Sequence, residues 1–239
     1  MLQACLNGGR TREFHTGVPY TAAELASDAV HAIAAGASEL HIHPRGPDGA
    51  ESLEPEVVAE AILKIRESVP GTPIGLSTHW RIPPGGLARQ KTIERWQVLP
   101  DYVSVNLVED DAADVISLAL GKGVGVEAGI WSVSDAERFV TLPDAKKCLR
   151  VLIEINEQDI DEGFAVATGI IGILERAKFK LPILLHGDEK SVWPMFREAM
   201  ARGYDGRIGL EDGNDLPSGK KAVDNADIVR AAVMLARAY

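Results

Sequence analysis

Eight short apolar runs alternate with eight helix-like segments along this chain, and few architectures accept that rhythm. Strands separated by helical stretches cannot pair as tight hairpins; they pair in parallel, with each helix packed on the sheet as the crossover. The runs are Leu2 to Leu6, Glu39 to His43, Pro73 to Ser77, Tyr102 to Asn106, Gly123 to Glu127, Arg150 to Glu154, Pro182 to His186 and Gly206 to Leu210. Helical patterns cover Ala22 to Ala35, Pro55 to Ser68, Gly86 to Gln97, Ala112 to Lys122, Ser134 to Val140, Glu162 to Lys178, Val192 to Arg202 and Asn225 to Arg237. A closed barrel of this kind takes about 250 residues, and the chain has 239. The expected fold class is α/β, one (β/α)8 TIM barrel spanning residues 1–239.

Local signals agree with the count. Thr21 followed by Glu24 fits a capping box, Glu54 precedes a proline at a first helical position, and Ser134 to Glu137 is a second box-like start. Gly36, Pro70-Gly71, Gly121 and Gly203 lie where helices should stop.

In such a barrel, chemistry sits where strands end and βα-loops begin. Those ends carry Asn7, His41 with His43, Ser77 with Thr78 and His79, Asn106, Glu127, Glu154 with Asn156, His186, and then Arg207, Glu211 and Asp212. Ser77, Thr78 and Asn106, with Arg10 of the first loop, are the expected substrate contacts. His41 and His43 are spaced i, i+2 on one strand, so both imidazoles share a face and can reach one ion. Strands two and eight both flank strand one, which brings Glu211 beside them. Two imidazoles and one carboxylate suit Zn²⁺ and leave coordination positions open, as a catalytic ion requires. His186 is a further possible ligand or an outer hydrogen-bond donor, and His79 a hydrogen-bond partner. His31, inside a helix, and His15, in the first loop, have no such neighbours in sequence.

The same residues carry a resemblance. His41-Ile-His43-Pro-Arg45, Gly75-Leu-Ser77-Thr78, Gly125-Val-Glu127, Arg207-Ile-Gly-Leu-Glu211-Asp212 and the early Val18-Pro-Tyr-Thr21 resemble the β-keto acid cleavage enzymes. That family includes the 3-keto-5-aminohexanoate cleavage enzyme of lysine fermentation. The resemblance implies a Zn²⁺ on His41, His43 and Glu211, and a reaction in which a β-keto acid and acetyl-CoA yield acetoacetate and a new CoA thioester. It places Arg207, Asp212 and Ser77 in the reaction centre, with Glu127 lining it, and implies a homotetramer. The residue types make chemical sense of this. A β-keto acid can chelate an open Zn²⁺ through its ketone and carboxylate; Arg207 can clamp a carboxylate bidentately; and Asp212 can accept a proton, although pairing with Arg207 would weaken it as a base.

One departure bears on substrate. Where the lysine-fermentation enzyme has an acidic residue to hold its substrate's ammonium group, this chain runs Asn7-Gly-Gly-Arg10-Thr-Arg12, which argues for a neutral or anionic β-keto acid. The chain is also short for the family, with compact loops. No glycine-rich phosphate fingerprint is present, and Arg10, Arg12 and Arg81 read as solvated loop charges before they read as CoA phosphate contacts.

Other classes fit less well. Amidohydrolases also use a His-x-His at a strand end, but on the first strand and with further histidines after the fifth and sixth, where this chain has Glu127 and Glu154. A barrel kept only for binding would not need the whole ligand and Arg/Asp set. Lys plus Arg total 25 against 35 Asp plus Glu, a formal charge of −10, so nucleic acid and anionic membrane surfaces are not expected partners. Cys5 and Cys148 read as buried free thiols, and the absence of a signal-like or membrane-length apolar stretch leads to an expectation of a soluble cytoplasmic protein.

Overall fold

The computed structural model describes residues 1–239. Its strands are β1 (Leu2–Cys5), β2 (Glu39–Ile42), β3 (Ile74–Ser77), β4 (Tyr102–Asn106), β5 (Gly125–Ile130), β6 (Arg150–Ile155), β7 (Ile183–Gly187) and β8 (Asp205–Ile208). All neighbours pair in parallel, and β8 closes on β1 through Leu2 opposite Gly206 and Gln3 opposite Arg207. Around this barrel lie α1 (Ala22–Ala35), α2 (Pro55–Ser68), α3 (Gly86–Glu94), α4 (Ala112–Gly121), α5 (Val133–Phe139), α6 (Ile160–Arg176), α7 (Val192–Arg202) and α8 (Asn225–Ala236). The (β/α)8 expectation holds in number, order and parallel pairing of its elements.

Capping explains several helix boundaries. Thr21 and Glu24 form the reciprocal box at α1, and Gly36 ends that helix in the left-handed conformation. At α5 the cap is Ser132, which accepts from the Asp135 amide, two residues before the expected start. At α6 it is Asp159, which accepts from the amides of Asp161 and Glu162.

The apolar core lies between strands and helices. Leu40, Ile42, Leu76, Val103, Val105, Val126, Val151, Ile153 and Leu185 are buried in that shell, each full burial worth about 1.5–3 kcal/mol. The alternate positions point into the barrel, and there the chain departs from the usual filling of branched aliphatics. Gln3 donates to Glu39 (3.0 Å), Tyr102 (3.0 Å) and Glu127 (2.8 Å). Arg150 donates to Glu127 at 2.6 Å and also to Glu39. The lower barrel is therefore a polar network, with only Gln3 Oε1 of these side chains left without a partner.

Gly75 makes room for it. A Cβ at that position would fall 1.9 Å from the Tyr102 ring, whose hydroxyl donates to the Leu40 carbonyl at 2.7 Å. Gly75→Ala must expel this ring from its slot, and the expected loss is about 3 kcal/mol of stability, read as a melting point lower by roughly 6–12 °C. An unchanged melting curve would show that the interior is far more plastic than this packing allows.

Two boundaries differ from expectation in ways that matter. Strand β5 begins after Gly123, which turns at φ +77 at the end of α4, and continues to Ile130. Glu127 is therefore mid-strand and fully buried, not at the rim. Strand β8 ends at Ile208, and the residues from Gly209 to Asp212 form the loop that returns across β1, where the Glu211 amide meets the Cys5 carbonyl at 3.4 Å.

Candidate active site

Inward-facing positions of β2 carry His41 and His43 to the C-terminal mouth, and the β8 loop carries Glu211 to the same point. His41 Nε2 lies 3.2 Å from His43 Nε2; Glu211 Oε1 lies 3.1 Å from His43 Nε2, and Oε2 lies 3.7 Å from His41 Nε2. Ligands about 2.0–2.1 Å from a shared tetrahedral ion stand roughly 3.3 Å apart, so the three groups are spaced as a metal would space them. They form a three-residue cluster of potential ligands, all within 4.8 Å of one another. Glu211 Oε2 is buried with no hydrogen-bond partner, an unmet acceptor of the kind a cation satisfies.

Each imidazole is fixed from behind. His43 Nδ1 meets the Glu51 carboxylate. His41 Nδ1 stands 3.4 Å from Ser104 Oγ, which donates to Glu127 Oε2 at 2.8 Å. Outer partners of this type set tautomer and ring orientation. Glu127 thus reaches the centre only through Ser104 and His41; the expectation that it lines the reaction centre gives way to a positioning role, because β5 runs three residues past it. Glu51 and Ser104 were not anticipated. Ser104 was findable, being two residues before Asn106 on the same inward face; Glu51 was not, because a loop offers no periodicity.

Arg207 sits 4 % exposed between two acids. Its Nη2 donates to Glu211 Oε1 at 2.7 Å and to Asp212 Oδ1 at 3.1 Å, and its Nε to Asp212 Oδ2 at 3.3 Å. Only Nη1 lacks a protein acceptor, so a bidentate clamp on substrate is replaced by a single free end. Burial pushes the Asp212 carboxyl up, but Arg207 and then His186 outweigh it and hold it down at about 2. Asp212 is ionised, and the concern that pairing weakens it as a base is justified.

The other anticipated contacts divide. Ser77 faces inward, with Oγ accepting the His79 amide at 3.3 Å. Asn106 also faces the interior, its Nδ2 held by Glu109 at 3.2 Å. Thr78, one residue on from Ser77, takes the opposite face, and its hydroxyl donates to the Ser104 carbonyl at 2.7 Å; strand alternation turns it away from the mouth. Arg10 is committed to Asp188 (2.9 Å), Glu189 (2.7 Å) and the Glu211 carbonyl (2.9 Å), and so clasps the ligand loop. Arg45 of the His-x-His-Pro-Arg run does similar work, donating to the carbonyls of Gly8, Arg10 and Gly49. His186 is not in the ligand cluster; its nitrogens face Asp212 and Glu154.

Charge makes a further point about the cluster. Burial opposes a charged His43, yet Glu211 and Glu51 overcome it and push the ring up to about 9; burial, helped by the Arg207 and His43 charges and opposed by Glu211, carries His41 down to about 3. Without an ion, two cations, Arg207 and His43, face three carboxylates, Glu51, Glu211 and Asp212. Exchanging the His43 proton for a divalent ion makes the set neutral. The expected result is release of about one proton per ion bound at pH 7, with affinity rising about tenfold per pH unit until pH 9. Calorimetry in buffers of different ionisation enthalpy measures this, and zero proton release would contradict the assigned charge state.

A TIM barrel whose mouth joins a His/His/Glu cluster to an Arg/Asp pair has the make-up of a barrel-enzyme active site. Among barrel enzymes, the profile of the beta-keto acid cleavage enzymes matches residues 1–162 and 177–239, and the chain belongs to that family. It is 22 % identical to the 3-keto-5-aminohexanoate cleavage enzyme of Acetoanaerobium sticklandii over 96 % of this chain and 88 % of that protein. The corresponding enzyme of Fusobacterium nucleatum is 38 % identical over 36 % of this chain and 30 % of that protein. Among solved structures, ObcA in its ternary complex with a C4-CoA adduct and oxalate superposes with a TM-score of 0.73 at 13 % identity, over 91 % of this chain and 63 % of that one. This chain therefore spans less than two thirds of ObcA, and the likeness is one of fold.

Proposed function

We propose that this chain transfers the acyl group of a β-keto acid to coenzyme A. The exchange is R–CO–CH₂–COO⁻ plus acetyl-CoA giving acetoacetate plus R–CO–S-CoA, which balances in atoms and charge. The observation that carries the reading is the metal-type cluster of His41, His43 and Glu211 in contact with Arg207 and Asp212, in a chain of this family.

A divalent ion on the cluster, with Zn²⁺ the best fit to two imidazoles and a carboxylate, would act as a Lewis acid toward the ketone and carboxylate oxygens of a chelating substrate. Asp212 accepts the C2 proton. A carboxyl held at about 2 deprotonates only a carbon acid that is already strongly activated, so Arg207, through its free Nη1, must share the developing negative charge. Ser77 Oγ offers a hydrogen bond to a substrate oxygen. The C4-CoA adduct in the ObcA complex supports an acyl-CoA co-substrate.

The substrate side chain is neutral or anionic on this reading. At Gly8, φ is +52 and a Cβ would lie 2.4 Å from Glu211 Cγ, so the loop that offers an acid elsewhere is here packed against the metal ligand. A homotetramer and a cytoplasmic setting complete the proposal; no helix is long and apolar enough to cross a membrane. The test is acetyl-CoA consumption against a panel of β-keto acids, with acetoacetate detection and metal analysis on one sample. Hydrolysis of esters or amides without CoA would favour an amidohydrolase-like reading, and a clear preference for 3-keto-5-aminohexanoate would overturn the substrate class.

A further inference from the structure

His186 closes β7 at the mouth of the barrel and is 1 % exposed. Its Nδ1 stands 3.3 Å from Asp212 Oδ2 and its Nε2 stands 3.7 Å from Glu154 Oε2, yet neither nitrogen has an aligned hydrogen-bond partner. A buried polar atom without a partner costs about 1–3 kcal/mol, so an imidazole with two such atoms is a poor choice for packing alone. In enzymes without substrate, working hydrogen bonds are often long or misaligned and tighten when the complex forms.

The surroundings of Asp212 say what a tightened contact does. Oδ2 is approached by Cys5 Sγ at 2.9 Å, Arg207 Nε at 3.3 Å and His186 Nδ1 at 3.3 Å, whereas Oδ1 takes one donor, Arg207 Nη2 at 3.1 Å. Two donors already sit on Oδ2 and His186 Nδ1 stands poised as a third, whereas Oδ1 carries one donor and keeps a lone pair open. We propose, resting on the reading of Asp212 as the proton acceptor, that His186 is a positioning residue: its Nδ1–H holds Asp212 Oδ2, so that Oδ1 is the oxygen presented to the substrate's C2 proton. Glu154 sets the tautomer from the far side. Its Oε2 stands 3.7 Å from Nε2, and burial raises its carboxyl against the pull of His186 and Arg207, so an acid less ready to accept from Nε2 leaves Nδ1 to carry the proton toward Asp212.

The histidine variants separate this from a packing role. His186→Leu should lower kcat about 10–100-fold, the scale on which outer partners of catalytic groups act, with KM and metal content little changed. It should slow deuterium exchange at C2 of the β-keto acid by the same factor when acetyl-CoA is withheld. His186→Asn, whose amide nitrogen can occupy the place of Nδ1, should recover most of the loss; His186→Gln, which reaches toward the place of Nε2, should not. Equal losses in the Asn and Leu variants, or a loss confined to KM or to metal content, would overturn the assignment.

A measurement without substrate decides it even if the proposed reaction fails. In spectra of ¹⁵N-histidine-labelled, metal-loaded protein, the His186 proton should reside on Nδ1 and its resonance should shift in Asp212→Asn. A proton on Nε2, or no response to Asp212→Asn, refutes the positioning role. Wild-type protein that shows the Nδ1 proton but no acyl exchange would instead sink the functional reading.

Discussion

His41→Ala should leave the barrel folded, remove the bound ion and cut acyl exchange by roughly a thousandfold, the equivalent of about 4 kcal/mol of Lewis-acid stabilisation. The fold should survive because His41 lies at the mouth and burial keeps it neutral, down at about 3; its loss strands no charge. His43→Ala is the instructive contrast. That ring is held charged near 9 between Glu51 and Glu211, so its removal leaves two carboxylates facing each other in the metal-free protein. Breaking a buried pair of this kind costs about 3–5 kcal/mol. The two variants should therefore be equally inactive and unequally stable, and melting curves of the metal-free proteins should separate them. The sign with pH follows: the raised His43 value stabilises the metal-free fold fully below its unfolded value of 6.5, and this contribution is lost as pH rises through about 9. A His41→Ala protein that retains both stoichiometric metal and activity would refute the centre.

How much of this was legible in the residues depends on the range over which each signal acts. The period-two and helical patterns are local, and they place eight strands in the right order, with β4 ending on Asn106 as expected and β2 ending at Ile42, one residue before the expected His43. Where small residues blur the pattern, local reading stopped early: Ala128-Gly129-Ile130 reads as loop but completes β5, and that error moved Glu127 from the barrel interior to the rim. The metal cluster was legible because alternation fixes His41 against His43 and barrel closure fixes β8 against β1. Thr78 was misassigned although the same alternation forbids it from sharing a face with Ser77. Glu51 lay beyond reach, since its contact with His43 depends on how a loop folds back, and that is set by Arg45 binding three carbonyls from two loops.

The polar barrel interior joins these layers into one device. Arg150 and Gln3 fix Glu127, Glu127 fixes Ser104, and Ser104 backs His41. An aliphatic core would pack as well but would leave the His41 ring free to turn. The network therefore trades the ordinary filling of the barrel for an imidazole of fixed orientation at its mouth, the preorganisation that a three-ligand open site demands.

Asp212→Asn should separate metal binding from chemistry. Asparagine keeps the size of the side chain and a carbonyl oxygen for Arg207, but it cannot accept the C2 proton, so kcat should fall by about 10²–10⁴-fold, the range typical of lost general-base catalysis. Metal content should remain stoichiometric, because Asp212 lies outside the ligand cluster of His41, His43 and Glu211. Arg207 loses one of its two acids but keeps Glu211 at 2.7 Å, so the guanidinium remains paired and the loss of stability should be modest beside that of His43→Ala. Deuterium exchange at C2 should fall with kcat, whereas substrate binding, which depends on the ion and the free Nη1 of Arg207, should persist. If the variant loses metal, Asp212 belongs to the ligand shell; if it keeps both metal and C2 exchange, the proton goes elsewhere and Asp212 serves only to hold Arg207.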